Sequence, residues 1–320
     1  MQTASRAIQA IQGSGDGPAI VVQNLVITYG SLRAVDDLSF SVQSGEIFAL
    51  LGPNGAGKTS TVEILEGYRR PDSGTVRVLD YDPVSQGHEM KEHIGLMLQQ
   101  TALYQKIKVR EAIDLFASYY DHPKPAAELI ELAGLQKHRD ATFDTLSGGQ
   151  KQRLSLALAM AGNPRVAFLD EPTASMDPQS RLQTWELIQG LRESGVTVLL
   201  TTHYMEEAQH LADHVAIIDH GKLVAFGSPE ELVGASATET ISFTGPEGMA
   251  LNELQGLTGV QSAQEVRPGV YNLTTNQPLD CVEALAGWRR GRQVELGALR
   301  VSGASLEDVF LQLTGQEVRD

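Results

Sequence analysis

Cysteine is almost missing: among 320 residues only Cys281 is one, so no disulfide can close within the chain and nothing points to an oxidising compartment. Basic residues are scarce too. Against 40 acidic side chains stand 25 lysines and arginines, a net charge of −15. That balance excludes a sequence-independent grip on nucleic acid and leaves short clusters such as Arg289, Arg290 and Arg292 as a solvated face. Long apolar runs are lacking as well. The most apolar windows, IFALLG, VAFLD and VTVLL, are five or six residues long, far below the ~20 that cross a bilayer. The opening MQTASRAIQAIQGSGDGP has neither a basic start nor a continuous apolar centre, so it is no secretory signal, and 1–17 is expected to fray. A soluble, cytosolic chain is expected, with any membrane role exercised through a partner.

With 42% hydrophobic residues the chain can bury a core, and its length exceeds the usual single domain, so one large domain and one smaller are expected. From Ile20 to about Gly234 short β-branched runs alternate with longer amphipathic ones, as in an α/β domain with a largely buried sheet. AIVVQNLVITYG and LSFSVQ resemble antiparallel strands; EIFALLG is a fully apolar strand running into a glycine loop; GTVRVLD is another short strand. VAFLDE and VTVLLTTH resemble parallel core strands, and DPQSRLQTWELIQGLRESG, with Pro178 in its first turn and Gly195 after its end, a crossover helix. About 100–146 holds little β character and reads as an inserted helical subdomain, with VREAIDLFASYYD and AAELIELAGL separated by HPKP. Composition changes after Gly234. Residues 239–320 parse as strand, helix, two strands, helix, strand and a last helix, the order of a small ferredoxin-like appendage.

Gly52, Gly57, Lys58 and Thr59 satisfy G-x-x-x-x-G-K-[ST] between an apolar strand and a helix-compatible TSTVEILEG. The glycines let backbone N–H groups wrap phosphates, Lys58 can bridge β and γ oxygens, and the Thr59 hydroxyl can ligate Mg²⁺. The whole cradle runs Gly52, Pro53, Asn54, Gly55, Ala56, Gly57, Lys58, Thr59, Ser60. Asp170 and Glu171 emerge where a buried strand ends, the place where open α/β sheets bind ligands. Asp170 suits Mg²⁺; Glu171 suits the attacking water. In LSGGQKQR a second anion-seeking helix start appears, with Ser147 as N-cap and Gly148 and Gly149 leaving the amides unobstructed.

With this signature added, the chain resembles the ATP-binding-cassette ATPases over about residues 18–234. The resemblance implies that Tyr29 stacks on adenine and that Gln99 links the Mg²⁺ and water site to a membrane partner. It makes Ser147, Gly148, Gly149 and Gln150 the signature that completes the nucleotide site of a second copy, Asp177 the D-loop residue, and His203 the switch histidine at the γ-phosphate. Taken singly, Tyr29 fits an ordinary strand aromatic, Gln99 a polar residue after a strand beside an equally polar Gln100, and His203 a core histidine; their order carries the resemblance.

The implied fold is a P-loop α/β core of the cassette type with an antiparallel β subdomain and an inserted helical subdomain, followed by the α+β appendage. The implied cofactors are ATP and Mg²⁺, the latter held by Thr59, Gln99 and Asp170. The implied catalytic set is Glu171, His203 and Gln99. SLEDVFLQLTG and TASMDPQSR are similar to drug-resistance-type export ATPases that pair with a separate permease of about six membrane spans. The implied assembly is a head-to-tail dimer seated, through that permease, on the cytoplasmic face of the membrane, with no nucleic acid involved.

Two alternatives stand beside this. A soluble cassette acting on another macromolecule would resemble DNA-repair members with long heptad insertions or ribosomal members with two cassettes, and neither feature is present. A regulator with negligible turnover is opposed by the intact Glu171, Gln99 and His203. His210 and His214 in HLADH have the spacing that lets two imidazoles on one helix share a metal, but Leu211 stands where a zinc protease would have its glutamate. Two histidines on a partly solvated helix face are the plainer expectation.

Overall fold

The computed structural model describes residues 17–99, 102–235, 239–303 and 305–315; the segment 1–16 and Gln100 lie outside the described residues. Along the chain, β1 (Pro18–Tyr29), β2 (Leu32–Gln43) and β3 (Ile47–Leu51) lead into α1 (Lys58–Leu65), then β4 (Ser73–Val78), α2 (Gly87–Lys91) and β5 (Ile94–Met97). Three helices come next: α3 (Val109–Ala117), α4 (Ala126–Leu132) and α5 (Gly148–Ala159). The remainder of the first unit is β6 (Val166–Asp170), α6 (Pro178–Glu193), β7 (Thr197–Thr201), α7 (Met205–Leu211), β8 (His214–Asp219) and β9 (Lys222–Gly227), with α8 (Pro229–Ala235) at its border. Compactness divides the chain at Pro229/Glu230, about one helical turn before Gly234, and groups the stretch from Leu313 with the first unit.

A six-stranded sheet of order β5-β6-β7-β3-β8-β9 organises the first unit. Its strands pair in parallel except β9, which runs antiparallel to β8. β3 and β7 are buried at every position because both faces of a parallel sheet are covered, and an unbroken apolar run suits that setting. A second, antiparallel sheet of order β2-β1-β4 packs on it. The two share one core, in which Phe40 of β2 stacks on Phe48 of β3 with ring centroids 5.2 Å apart.

Four of the segments that carry candidate site residues follow strands that are consecutive in the larger sheet. Gln99 comes after β5, Asp170 and Glu171 end β6, His203 follows β7, and the glycine loop follows β3. Because the four strands are parallel, all these segments leave from one edge of the sheet. Between β5 and β6 the helices α3 and α4 bury Val109, Ala112, Ile113, Leu129 and Ile130, and the apolar second half of α5 is buried from Leu154 to Ala159.

The second unit runs β10 (Glu239–Thr244), α9 (Leu251–Gln255), β11 (Val260–Arg267), β12 (Val270–Thr275), α10 (Pro278–Arg292), β13 (Gly297–Ser302) and α11 (Leu306–Thr314) as far as Gln312. Its sheet has the order β11-β12-β10-β13 with every pair antiparallel, the arrangement of a split βαβ fold. Ile241, Phe243, Leu254, Tyr271, Leu273 and Cys281 share its core. α10 begins at Pro278, three residues before CVEAL, because proline fits the first helical turn. Val294 then closes that helix by donating to the Arg289 carbonyl at 3.2 Å, which delays β13 to Gly297.

Candidate active site

The glycine loop is shaped by backbone geometry. Gly57, at the N-terminus of α1, has φ +104°, and a Cβ there would lie 2.5 Å from the Ala34 carbonyl oxygen, so no side chain fits. Around Gly55 there is open space instead, and Asn54, Gly55 and Thr59 are exposed, a cradle whose inner face can take a phosphate chain at a helix N-terminus. Lys58 Nζ donates to the carbonyls of Gly52 at 2.6 Å and Pro53 at 3.2 Å, holding its ammonium over the loop. Burial pulls the Lys58 ammonium below the ordinary lysine value, and the charges of Glu171 and Asp170 act in the opposite sense.

At the end of β6, Glu171 departs from strand geometry into the left-handed region, φ 48°, a cost that tends to be retained where function requires it. Its N–H donates to the Thr201 carbonyl at 2.9 Å. Both carboxylate oxygens have partners: Gln99 Nε2 donates to Oε2 at 2.8 Å, and His203 Nδ1 lies 3.1 Å from Oε1. Asp170 Oδ1 accepts from Thr201 Oγ1. Since Gln99 uses its nitrogen on Glu171, its amide oxygen remains as an acceptor; like the Thr59 hydroxyl and the Asp170 carboxylate it is an oxygen donor, the kind that suits Mg²⁺.

Ser147 caps α5 by a reciprocal pair of bonds. Gln150 N–H donates to Ser147 Oγ at 3.2 Å, and Ser147 N–H donates to Gln150 Oε1 at 2.9 Å. Gly148 is exposed and open, whereas Gly149 lies against Ser180: a Cβ there would come within 2.8 Å of its hydroxyl. Asp177 caps the neighbouring α6 and accepts from Ser180 Oγ at 2.6 Å and from its N–H at 3.0 Å. Gly149 and Asp177 thus share Ser180 as a neighbour. From α5, Gln152 Nε2 donates to the Glu171 carbonyl at 3.4 Å.

Tyr29 ends β1 with 43% of its surface exposed, and its hydroxyl is 2.9 Å from Ser60 Oγ on α1. It does not join the Glu171 cluster; it stands beside the helix that carries the loop. The pair His210 and His214 is not one helix face. α7 ends at Leu211, so His210 stacks on Trp185 with centroids 4.8 Å apart, while His214 opens β8 and its Nδ1 lies 2.7 Å from Glu46 Oε2.

Some neighbours of these residues had no motif to announce them. Arg69 lies over the Tyr29 ring. Glu207, fully buried four residues after His203, accepts from Thr173 Oγ1 at 2.7 Å and Trp185 Nε1 at 3.1 Å, tying the segment after Glu171 to the one after His203. Burial raises its carboxyl above the ordinary value despite the donors from Thr202, Thr173 and Trp185. Glu66, the buried residue closing α1, is pushed up to about 7 by burial first and then by the charges of Asp170 and Glu63.

Comparison with known proteins bears on both units. The family described as ABC transporter matches residues 35–174, and a C-terminal domain described as ABC transporter domain-containing protein-like matches 239–305. The chain is 36% identical to the Nod factor export ATP-binding protein I of Ralstonia nicotianae, covering 96% of this chain and 97% of that protein. It is 34% identical to the daunorubicin/doxorubicin resistance ATP-binding protein DrrA of Streptomyces peucetius, covering 94% of each. Among solved structures, cbiO1 of Clostridium perfringens, part of a cbiONQ ABC transporter complex, superposes with a TM-score of 0.63 at 25% identity, over 69% of this chain and 92% of that one. An ATP-binding cassette in its ADP conformation superposes with a TM-score of 0.61 at 24% identity, over 68% of this chain and 93% of that one, a likeness of fold.

Proposed function

Because the chain belongs to the ABC transporter family and is one of its ATP-hydrolysing cassettes, we propose that it is the subunit that powers a membrane exporter. The observation that carries hydrolysis is the convergence of Gln99 and His203 on the two oxygens of the Glu171 carboxylate, beside the loop that ends in Lys58 and Thr59. Export is supported by relatives whose names specify Nod factor export and daunorubicin/doxorubicin resistance, aligned through both units.

In this proposal Gly52 to Ser60 wrap the phosphates of ATP with backbone N–H groups, and Lys58 turns from its loop carbonyls toward the β and γ oxygens. Thr59, Gln99 and Asp170 would hold Mg²⁺, which when bound neutralises charge on those oxygens. Glu171 accepts the proton of the attacking water, His203 sits at the γ-phosphate, and Tyr29 stacks on adenine. Ser147, Gly148, Gly149, Gln150 and Asp177 serve the nucleotide of a second copy, so two chains pair head to tail with ATP between them.

Closure of that dimer moves the helices between about 100 and 146 against a permease of about six spans. A ligand shifts such an equilibrium only by what it binds unequally in the two states, so tighter binding of ATP to the closed dimer supplies the work. Leu98, Tyr104, Leu115 and Tyr119, exposed on or next to this segment, are apolar surface available to the permease. No helix among the described residues is long and apolar enough to cross a membrane, which fits a peripheral position on the cytoplasmic face. In this reading residues 239–320 form an accessory domain, a view supported by the compact unit that begins at Glu230.

The test is purification from membranes. The chain is expected to be recovered with a multi-span protein and to lose that partner when the exposed apolar residues of 98–119 are made acidic. Recovery with soluble partners alone would refute the exporter role.

A further inference from the structure

The Tyr29 ring is held in part by a residue that belongs to neither the glycine loop nor the Glu171 cluster. Arg69 Nη1 donates to the Tyr29 hydroxyl at 2.7 Å, and the same guanidinium lies over the ring with Cζ 4.1 Å from its centroid. Arg69 is itself anchored to α1: its N–H donates to the Glu63 carbonyl at 3.2 Å, and Nη1 is 3.8 Å from Glu63 Oε2. Ser60 of α1 also lies within hydrogen-bond distance of the tyrosine hydroxyl, at 2.9 Å. A ring at the end of β1 is thereby tied to the helix whose first turn carries the phosphate loop.

We propose that Arg69 is the positioning residue of the nucleobase platform: its guanidinium covers one face of Tyr29 and orients the ring so that the other face meets the adenine of ATP. The inference rests on Tyr29 being the base-stacking residue. A tyrosine this exposed would otherwise sample several rotamers, and ordering it on binding would weaken affinity. Arg69 removes that freedom beforehand through one hydrogen bond and one cation–π contact. Its planar fork matters, because an ammonium could lie on the ring or reach the hydroxyl but could not reproduce the stacked, hydrogen-bonded pose. The tie sits at the base end of the site, so its effect falls on nucleotides and spares bare polyphosphate.

The experiment measures binding of ATP and of inorganic tripolyphosphate to the full chain in EDTA, together with steady-state hydrolysis. Arg69→Ala is expected to weaken ATP binding about three- to tenfold, to leave tripolyphosphate within twofold, and to raise KM while sparing kcat. Arg69→Lys should fall between the two, and Arg69→Ala should add little to Tyr29→Ala. Equal weakening of ATP and tripolyphosphate would make Arg69 a source of general positive charge and overturn the proposal. If Tyr29→Ala weakens ATP selectively and Arg69→Ala does not, the positioning role fails while the platform stands. If Tyr29→Ala itself leaves ATP binding unchanged, the platform and the proposal fall together.

Discussion

The role proposed for Glu171 rests on where β6 lets go of it. The strand ends on Asp170, the next residue turns left-handed, and its carboxylate meets an amide from one segment and an imidazole from another. Replacing Glu171 by Gln keeps the shape of that junction and removes the proton acceptor. ATP binding is expected to stay intact while turnover falls by about 10²-fold or more; turnover within a few-fold of the wild type would remove Glu171 from the base role. The identities of Glu171, Lys58 and Asp170 were legible in the sequence because each stands at a fixed offset from an apolar strand. Arg69 was not legible: the contact it makes spans 40 residues, and no local pattern marks an arginine destined for a particular ring. Glu207 offered only a faint signal, its place four residues after His203 on a helix.

α1 shows how one element serves both ends of the site. Its first turn presents Lys58 and Thr59, its middle supplies Ser60 and Glu63 to the Tyr29 contacts, and the residue that caps its end, Glu66, is buried within reach of the Asp170 charge. The folded Glu66 holds its proton up to about pH 7, above the ordinary 4.5. Its contribution to stability is therefore present below pH 4.5 and lost as pH rises through 7. Glu66→Gln stays neutral throughout. Its advantage over the wild type should grow by roughly 2 kcal/mol between pH 5.5 and 8.5 in urea unfolding without nucleotide or magnesium; a constant difference would mean that the carboxyl is not held protonated.

Element types were legible wherever periodicity was long or a strand was flanked by glycine and acidic residues, as for β3, β6, β7 and α6. The hairpin of β8 and β9 was harder, since HLADH continues the helical spacing past Leu211. What ends α7 is tertiary: Asp213 N–H donates to the Ile47 carbonyl at 2.8 Å and Asp213 Oδ2 accepts from Ile47 N–H at 2.9 Å, pinning the chain to β3. Sequence spacing carries no trace of such a bond.

At the scale of the molecule the chain carries two helix starts suited to anions, α1 and α5, and they have different surroundings. The cradle before α1 belongs with Lys58, Asp170 and Glu171 through the consecutive order of β5, β6, β7 and β3. Ser147 instead closes a cap with its own Gln150 and leaves Gly148 exposed, and in the proposed assembly this helix start serves the phosphate site of another copy. The most direct test mixes two inactive variants, Lys58→Ala and Ser147→Arg, each checked for folding and each with little ATPase activity alone. After subunit exchange in a 1:1 mixture, half of the dimers combine the two defects at one site and leave the other wild type, so activity should return to about one-quarter of the wild-type value. A mixture no more active than its components would contradict a nucleotide site built from two copies of this chain.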